Sequence, residues 1–224
     1  MKNILKISIL FLTTTIFAQN QQGKNPSDFL PKGYVIFEKI NGDLNKDGIE
    51  DCVIIVKATE KDSIVKNRFD EVVDRNRRGI IVLFNMKDHY DLVIKNTNCF
   101  SSENEDGGVY FPPELSTEIK KGNLYFHYAA GRYGYWEYTF RFQNSDFELI
   151  GYNSGDRSSF ESDYVTFDET SVNFMTKKKL VKKVIKVNVD GKEVYKETWG
   201  NINANTLTKL SEIKDFDELE MDKY

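Results

Sequence analysis

The sequence predicts an all-β domain with one short helix. Three observations point there. The 224 residues hold 16 Phe and 12 Tyr against 4 Pro, and aromatic side chains suit a pleated, half-buried surface. About a dozen short runs alternate in polarity or stay continuously apolar between clusters of turn residues. The connections between them are short, which antiparallel strands tolerate and parallel crossovers do not. No period of 20–50 residues repeats, so a complete repeat propeller lacks support. The expected architecture is an antiparallel meander, built as a sandwich or a partial propeller-like sheet.

Residues 1–18, MKNILKISILFLTTTIFA, have Lys2 and Lys6 before an apolar run from Ile7 to Phe17, and Ala18 as a small residue at a cleavage point. That is the pattern of an export signal, and the run is too short to span a bilayer. Taking those 18 residues and their two Lys from 224 residues and a net charge of −4 leaves 206 residues and −6. The expected location is periplasmic or secreted, with no transmembrane segment in the mature chain. Residues 19–32 are polar and read as a flexible mature N-terminus. A single β-rich domain is expected over 33–214, and an acidic tail over 215–224.

Within the domain, YVIFEKI (34–40) alternates as a strand, and DCVIIVKA (51–58) is a near-continuous apolar run suited to a central strand. Over 62–76, Val65, Phe69, Val72 and Val73 fall at helical spacing, which predicts the short helix. Strands resume at 79–85 and 89–96, turning near Lys87. STEIKKG and NLYFHYAAG then flank a turn at 122–123, and YWEYTFRFQ (135–143) and FELIGYN (147–153) flank Asn144-Ser145-Asp146. Hairpins are also expected around Glu169-Thr170 and around Asp190-Gly191, the strongest hairpin dipeptide in the chain. LTKLSEI (207–213) reads as a last strand.

Composition excludes several functions. At 40% hydrophobic residues the chain can build a core. A pI of about 5.4 argues against binding nucleic acid through phosphates. No GxSxG elbow or HExxH is present, and His89 and His127 stand alone. Carboxylate pairs such as Glu114 with Glu137 could serve a glycan-acting hydrolase, but no spacing selects them, and enzymatic activity stays open. Cys52 and Cys99 are the only cysteines. Export permits a disulfide between them, while free Cys is also a common core residue.

The sharpest motif is Asp43-Leu44-Asn45-Lys46-Asp47-Gly48-Ile49-Glu50-Asp51. Polar oxygens fall at positions 1, 3, 5 and 9, with Gly48 at position 6, where calcium loops turn sharply. Ca²⁺ would take side-chain oxygens from Asp43, Asn45 and Asp47, the Ile49 carbonyl, and Asp51 directly or through water. The loop lacks the EF-hand's Glu at position 12, where Ile54 stands. It resembles instead the DxDxDG loops of FG-GAP, integrin-type repeats, which join two strands. That likeness covers about 15 residues, occurs once, and implies a structural Ca²⁺. The chain also resembles a group of small exported bacterial proteins of unknown function. The shared features are the single loop, a DRNRRG-like stretch (Asp74 to Gly79), the Gly107-Gly108 loop and an aromatic hairpin. That resemblance implies no activity.

In that hairpin, Trp136, Tyr138, Phe140 and Phe142 are expected on a core face, with Arg132, Tyr133, Tyr135 and Trp136 as a candidate surface for a ligand or partner. Arg75, Arg77 and Arg78 would complement the dipole at the predicted helix end. Lysines over 176–186 would protect an exposed edge. The expected function is an exported calcium-binding β-domain that binds an unknown protein or glycan at the cell envelope.

Overall fold

The computed structural model describes residues 21–106, 114–221 and 223–224. The predicted export signal and the Gly107-Gly108 pair lie outside the described residues. The strands are β1 (Gln22–Gly23), β2 (Tyr34–Gly42), β3 (Asp51–Ala58), β4 (Ile64–Lys66), β5 (Val72–Asp74), β6 (Arg78–Asn85) and β7 (Tyr90–Phe100), then β8 (Glu114–Lys120), β9 (Asn123–Ala129), β10 (Gly134–Gln143), β11 (Asp146–Arg157), β12 (Phe167–Asn173), β13 (Lys178–Val187) and β14 (Glu193–Asn201). They form a five-stranded sheet ordered β1-β7-β6-β3-β2, a seven-stranded sheet ordered β14 to β8, and the two-stranded β4-β5. The fold is all-β and antiparallel, sandwich-like, and includes a half-barrel.

Two-residue turns close the hairpins where the sequence can adopt a left-handed backbone. Asn144 and Ser145 have φ of 52° and 62°, as tight hairpin turns require, while Gly191, at φ of 78°, sits in the longer turn between Val187 and Glu193. The main core lies between the two larger sheets. Ile55, Ile80 and Val82 from one meet Phe126, Tyr138 and Phe140 from the other. A second cluster covers the opposite face of the five-stranded sheet, where Phe29 packs with Cys52, Ile54, Val56, Ile81 and Leu83. The central strands β3 and β6 are therefore buried on both faces, while the edge strand β2 leaves Val35, Ile36 and Phe37 exposed, which is why β3 reads as a continuous apolar run.

Several expectations are corrected. The helix over 62–76 is the β4-β5 hairpin. Asn67 heads its turn: the side-chain oxygen accepts the backbone N–H of Phe69 at 2.8 Å and of Glu71 at 3.0 Å, and Asp70 adopts φ of 61°. Such side-chain-to-backbone bonds compete with a helix, and no buried apolar stripe compensates, since Phe69 is 63% exposed. With no helix there, the arginines hold loops instead. Arg75 pairs with Asp106 at 2.6 Å, Arg77 with Asp215 at 2.7 Å, and Arg78 donates to the Ser101 carbonyl at 2.9 Å. The turn expected at Glu169-Thr170 lies at 174–177, so β12 runs straight through both residues. Instead of a strand over 207–213 there is a single bridge, Glu148 to Lys209, and a 3₁₀ turn at Leu210–Glu212.

Both ends of the described chain are packed. Residues 21–32 include β1, paired with β7, and the buried Phe29, so this stretch is not a loose N-terminus. The expected acidic tail inserts Phe216 into the core, stacked on Phe100 at 4.7 Å between centroids. Its apolar residues are interleaved among acids, and the charge count hid them. Cys52 and Cys99 are free thiols. They lie in the two separate clusters, on opposite faces of the five-stranded sheet, so the disulfide that export would permit is not formed. Burial raises the pKa of both thiols.

Candidate functional site

The loop 43–51 connects β2 to β3 and is organised by its own acids. Asp43 accepts the backbone N–H of Asp47 at 3.2 Å and of Gly48 at 3.0 Å through its two oxygens. Asn45 Oδ1 accepts the Asp47 N–H at 3.0 Å, and Asp47 Oδ1 accepts the Ile49 N–H at 2.8 Å. Gly48, at φ of 86°, supplies the sharp turn. Asp51 is fully buried. It accepts the backbone N–H groups of Leu44, Asn45 and Asn85, and so ties the loop to the end of β6. Burial raises its pKa against those three hydrogen bonds. Among the described residues, no three His, Cys, Asp or Glu side chains gather as a ready-made metal cage.

These residues nonetheless suit a hard cation in part. Asp43, Asn45 and Asp47 form nested turns whose oxygens keep spare lone pairs after accepting one N–H each. Asp51 is already committed to the backbone and braces the loop from beneath.

The aromatic hairpin divides its residues between two faces. Trp136 is half-buried on the core side, stacked on Tyr128 at 5.3 Å and 12°. Arg132 and Tyr133 are exposed in the 3₁₀ turn Gly131–Tyr133, and Arg132 Nη2 donates to the Tyr133 hydroxyl at 3.3 Å. Tyr135 points the other way, to the face of the seven-stranded sheet that does not meet the core. The four residues proposed as one surface are thus not brought together.

Tyr135 instead belongs to a groove of about 400 Å³ on that outer face, lined by side chains from β9 to β13. Two cross-strand rows build it. One runs His127, Glu137, Asn153, Ser171, Leu180, and the next runs Ala129, Tyr135, Gly155, Glu169, Lys182. Residues directly opposite in register share a face, so the register alone aligns them. The polar groups are linked. Asn153 Nδ2 donates to Glu137 at 3.2 Å, the Ser171 hydroxyl donates to Asn153 Oδ1 at 2.7 Å, and Lys182 donates to Glu169 at 3.2 Å. The His127 and Tyr135 rings stack at 5.5 Å and 27°. Gly155 makes room for Tyr135: a Cβ there would lie 2.4 Å from the ring. Burial raises the Tyr135 pKa, and the carboxylates of Glu169 and Glu137 add to it.

Of the groove residues only Tyr135 was a candidate site residue from sequence, and Glu137 entered only as half of a hypothetical pair with Glu114, which lies outside the groove on the edge strand β8. Glu169 and Lys182 were missed because the misplaced turn put Glu169 at a hairpin tip. The signal that could have found them is Asn173, whose side-chain oxygen accepts the Thr176 N–H at 2.9 Å and starts the four-residue turn before Lys178.

No family model, curated protein or solved structure matches this chain. Among the described residues no helix is long and apolar enough to cross a membrane.

Proposed function

We propose that this chain is an exported binding module of the cell envelope, with the outer groove as its ligand surface and Ca²⁺ as a structural ion in the loop 43–51. The groove carries this reading: a linked set of polar and aromatic side chains from five adjacent strands occupies the face of the seven-stranded sheet that the core leaves free. Ca²⁺ would be held by Asp43, Asn45 and Asp47 with the Ile49 carbonyl, while Asp51 fixes the loop on β3. The ion would neutralise carboxylates crowded into one turn. The test is capture from an envelope extract on the immobilised chain. A variant carrying both Tyr135→Ala and Glu169→Lys should lose the ligand that the parent retains, and equal retention by both would overturn the reading.

A second reading has one specific observation behind it. Glu137 and Glu169 stand in the same groove, on strands separated only by β11, and glycoside cleavage uses two carboxylates flanking the bond. Release of new reducing ends from an oligosaccharide, abolished by Glu137→Gln and by Glu169→Gln, would establish it; absence of release would dismiss it.

A further inference from the structure

We propose that the groove takes a neutral oligosaccharide laid across the strands, with one sugar ring over Tyr135 and a vicinal diol on the Glu169–Lys182 pair. This rests on the groove being the binding surface and names what it holds.

The ring seat comes first. Tyr135 spans Gly155 and is braced by His127 at 5.5 Å, so its position is fixed before any ligand arrives. A flat aromatic face suits the C–H face of a pyranose, as it suits any apolar surface at low entropy cost. Beside it, a carboxylate oxygen of Glu169 and the Lys182 ammonium lie 3.2 Å apart. Two neighbouring hydroxyls match that pair, one donating to the acid and the other accepting from the amine. The Glu137–Asn153–Ser171 chain offers further acceptors and donors, already oriented by one another.

Charge selects against acidic sugars. Glu137 and Glu169 face one Lys182, and Glu197 follows Lys182 in the same row, so a carboxylate-bearing ligand meets net repulsion. Apolar content selects against a protein partner. Protein interfaces seat their anchors in dry, fully desolvated pockets, whereas here Tyr135 stands among Glu137, Asn153, Glu169, Ser171 and Lys182, with Leu180 as the one aliphatic side chain lining the groove. Length favours a chain over a single sugar. The row from His127 continues past Leu180 to Trp199 on the edge strand, which is 65% exposed. Five strand spacings make about 24 Å along the sheet, with an aromatic ring at either end.

The test is amide chemical-shift mapping on the full-length ¹⁵N-labelled chain. The probes are cellohexaose, maltohexaose and chitohexaose, with hexagalacturonate and decalysine as counter-probes. At least one neutral hexamer should shift the amides of Tyr135, Gly155, Glu169 and Lys182. Tyr135→Ala and Glu169→Gln should each weaken it about tenfold, as loss of an anchoring contact does, and Met175→Ser, in an exposed turn, should leave it unchanged. Groove shifts with hexagalacturonate or decalysine alone would overturn the glycan and keep the groove as a binding surface. Neutral hexamers that shift only residues elsewhere would overturn both. No shift with any neutral hexamer would overturn the inference.

Discussion

The two large sheets share a core but differ in how many faces they bury. In the five-stranded sheet the central strands β3 and β6 are covered on both sides, by the inter-sheet core and by Phe29 with its neighbours. The seven-stranded sheet is covered on one side and carries the polar groove on the other. The difference teaches where each property resides. Doubly buried strands have no surface to offer a ligand and contribute mainly stability, while singly buried strands keep every second side chain free for recognition.

Substitutions in the covered layers and on the uncovered face would break this contrast if it is wrong. Ile81→Ala, in the second cluster, and Phe216→Ala, in the aromatic core, should each cost about 3–5 kcal/mol, the usual toll of emptying a packed site. Ser171→Ala, on the outer face, should stay within about 0.5 kcal/mol. Urea unfolding of the three variants reads the comparison directly, and a groove variant as damaging as Ile81→Ala would refute it.

The loop 43–51 leads into the doubly buried strand β3, which Asp51 begins. Ca²⁺ at a hundredfold above its dissociation constant should add about 2.7 kcal/mol. The expected outcome is a higher melting temperature in Ca²⁺ than in chelator, with the difference lost in an Asp43→Asn, Asp47→Asn double variant. Equal melts for the parent protein in both conditions would remove calcium from the account.

The same contrast explains what could be read from the sequence. β3 was legible because burial on both faces leaves an unbroken apolar run, and β10 because one-sided burial leaves alternation. The β4-β5 hairpin was not, since four apolar residues at helical spacing outweighed Asn67 and Asp70, whose turn chemistry decided the outcome. The C-terminal segment was misread because Phe216 docks through tertiary contacts that a local count of acids does not register. The loop 43–51 was legible as a pattern of acids around Gly48, yet the commitment of Asp51 to backbone N–H groups depends on Asn85, 34 residues away. The groove was hidden for a related reason: it exists only through register across five strands, and one misplaced turn removes Glu169 from it.

Asp217 offers a pH-dependent test in the core-capping segment. Although Asp217 is exposed at the surface, partial desolvation of its carboxyl raises its pKa above 3.8, with Asp215 and Glu105 adding to the shift and Ser101 and Arg77 opposing it. The folded chain therefore binds this proton more tightly than the unfolded chain. The resulting stabilisation is complete below pH 3.8 and is lost as pH rises through the raised value. Asp217→Asn should remove that falling component, so the variant gains on the parent between acidic and neutral pH. A constant stability difference between the two from pH 3 to 7 would contradict it.

A small expected effect on stability is also the most specific for the groove. Gly155→Ala places a methyl 2.4 Å from the Tyr135 ring, so the ring must swing away from its seat and from His127. The backbone there is ordinary extended strand, paired with Tyr135 on one side and Glu169 on the other, and replacing Gly also restricts the unfolded chain, which offsets part of the cost. The net change should remain within about 1 kcal/mol. The ring-current shift that Tyr135 imposes on the His127 protons should disappear, and ligand retention should fall with it. Unchanged His127 shifts would mean that Tyr135 does not rest on Gly155. Lost shifts with full ligand retention would mean that the ring is not part of the recognition surface, and would leave the polar row from Glu137 to Ser171 to carry it alone.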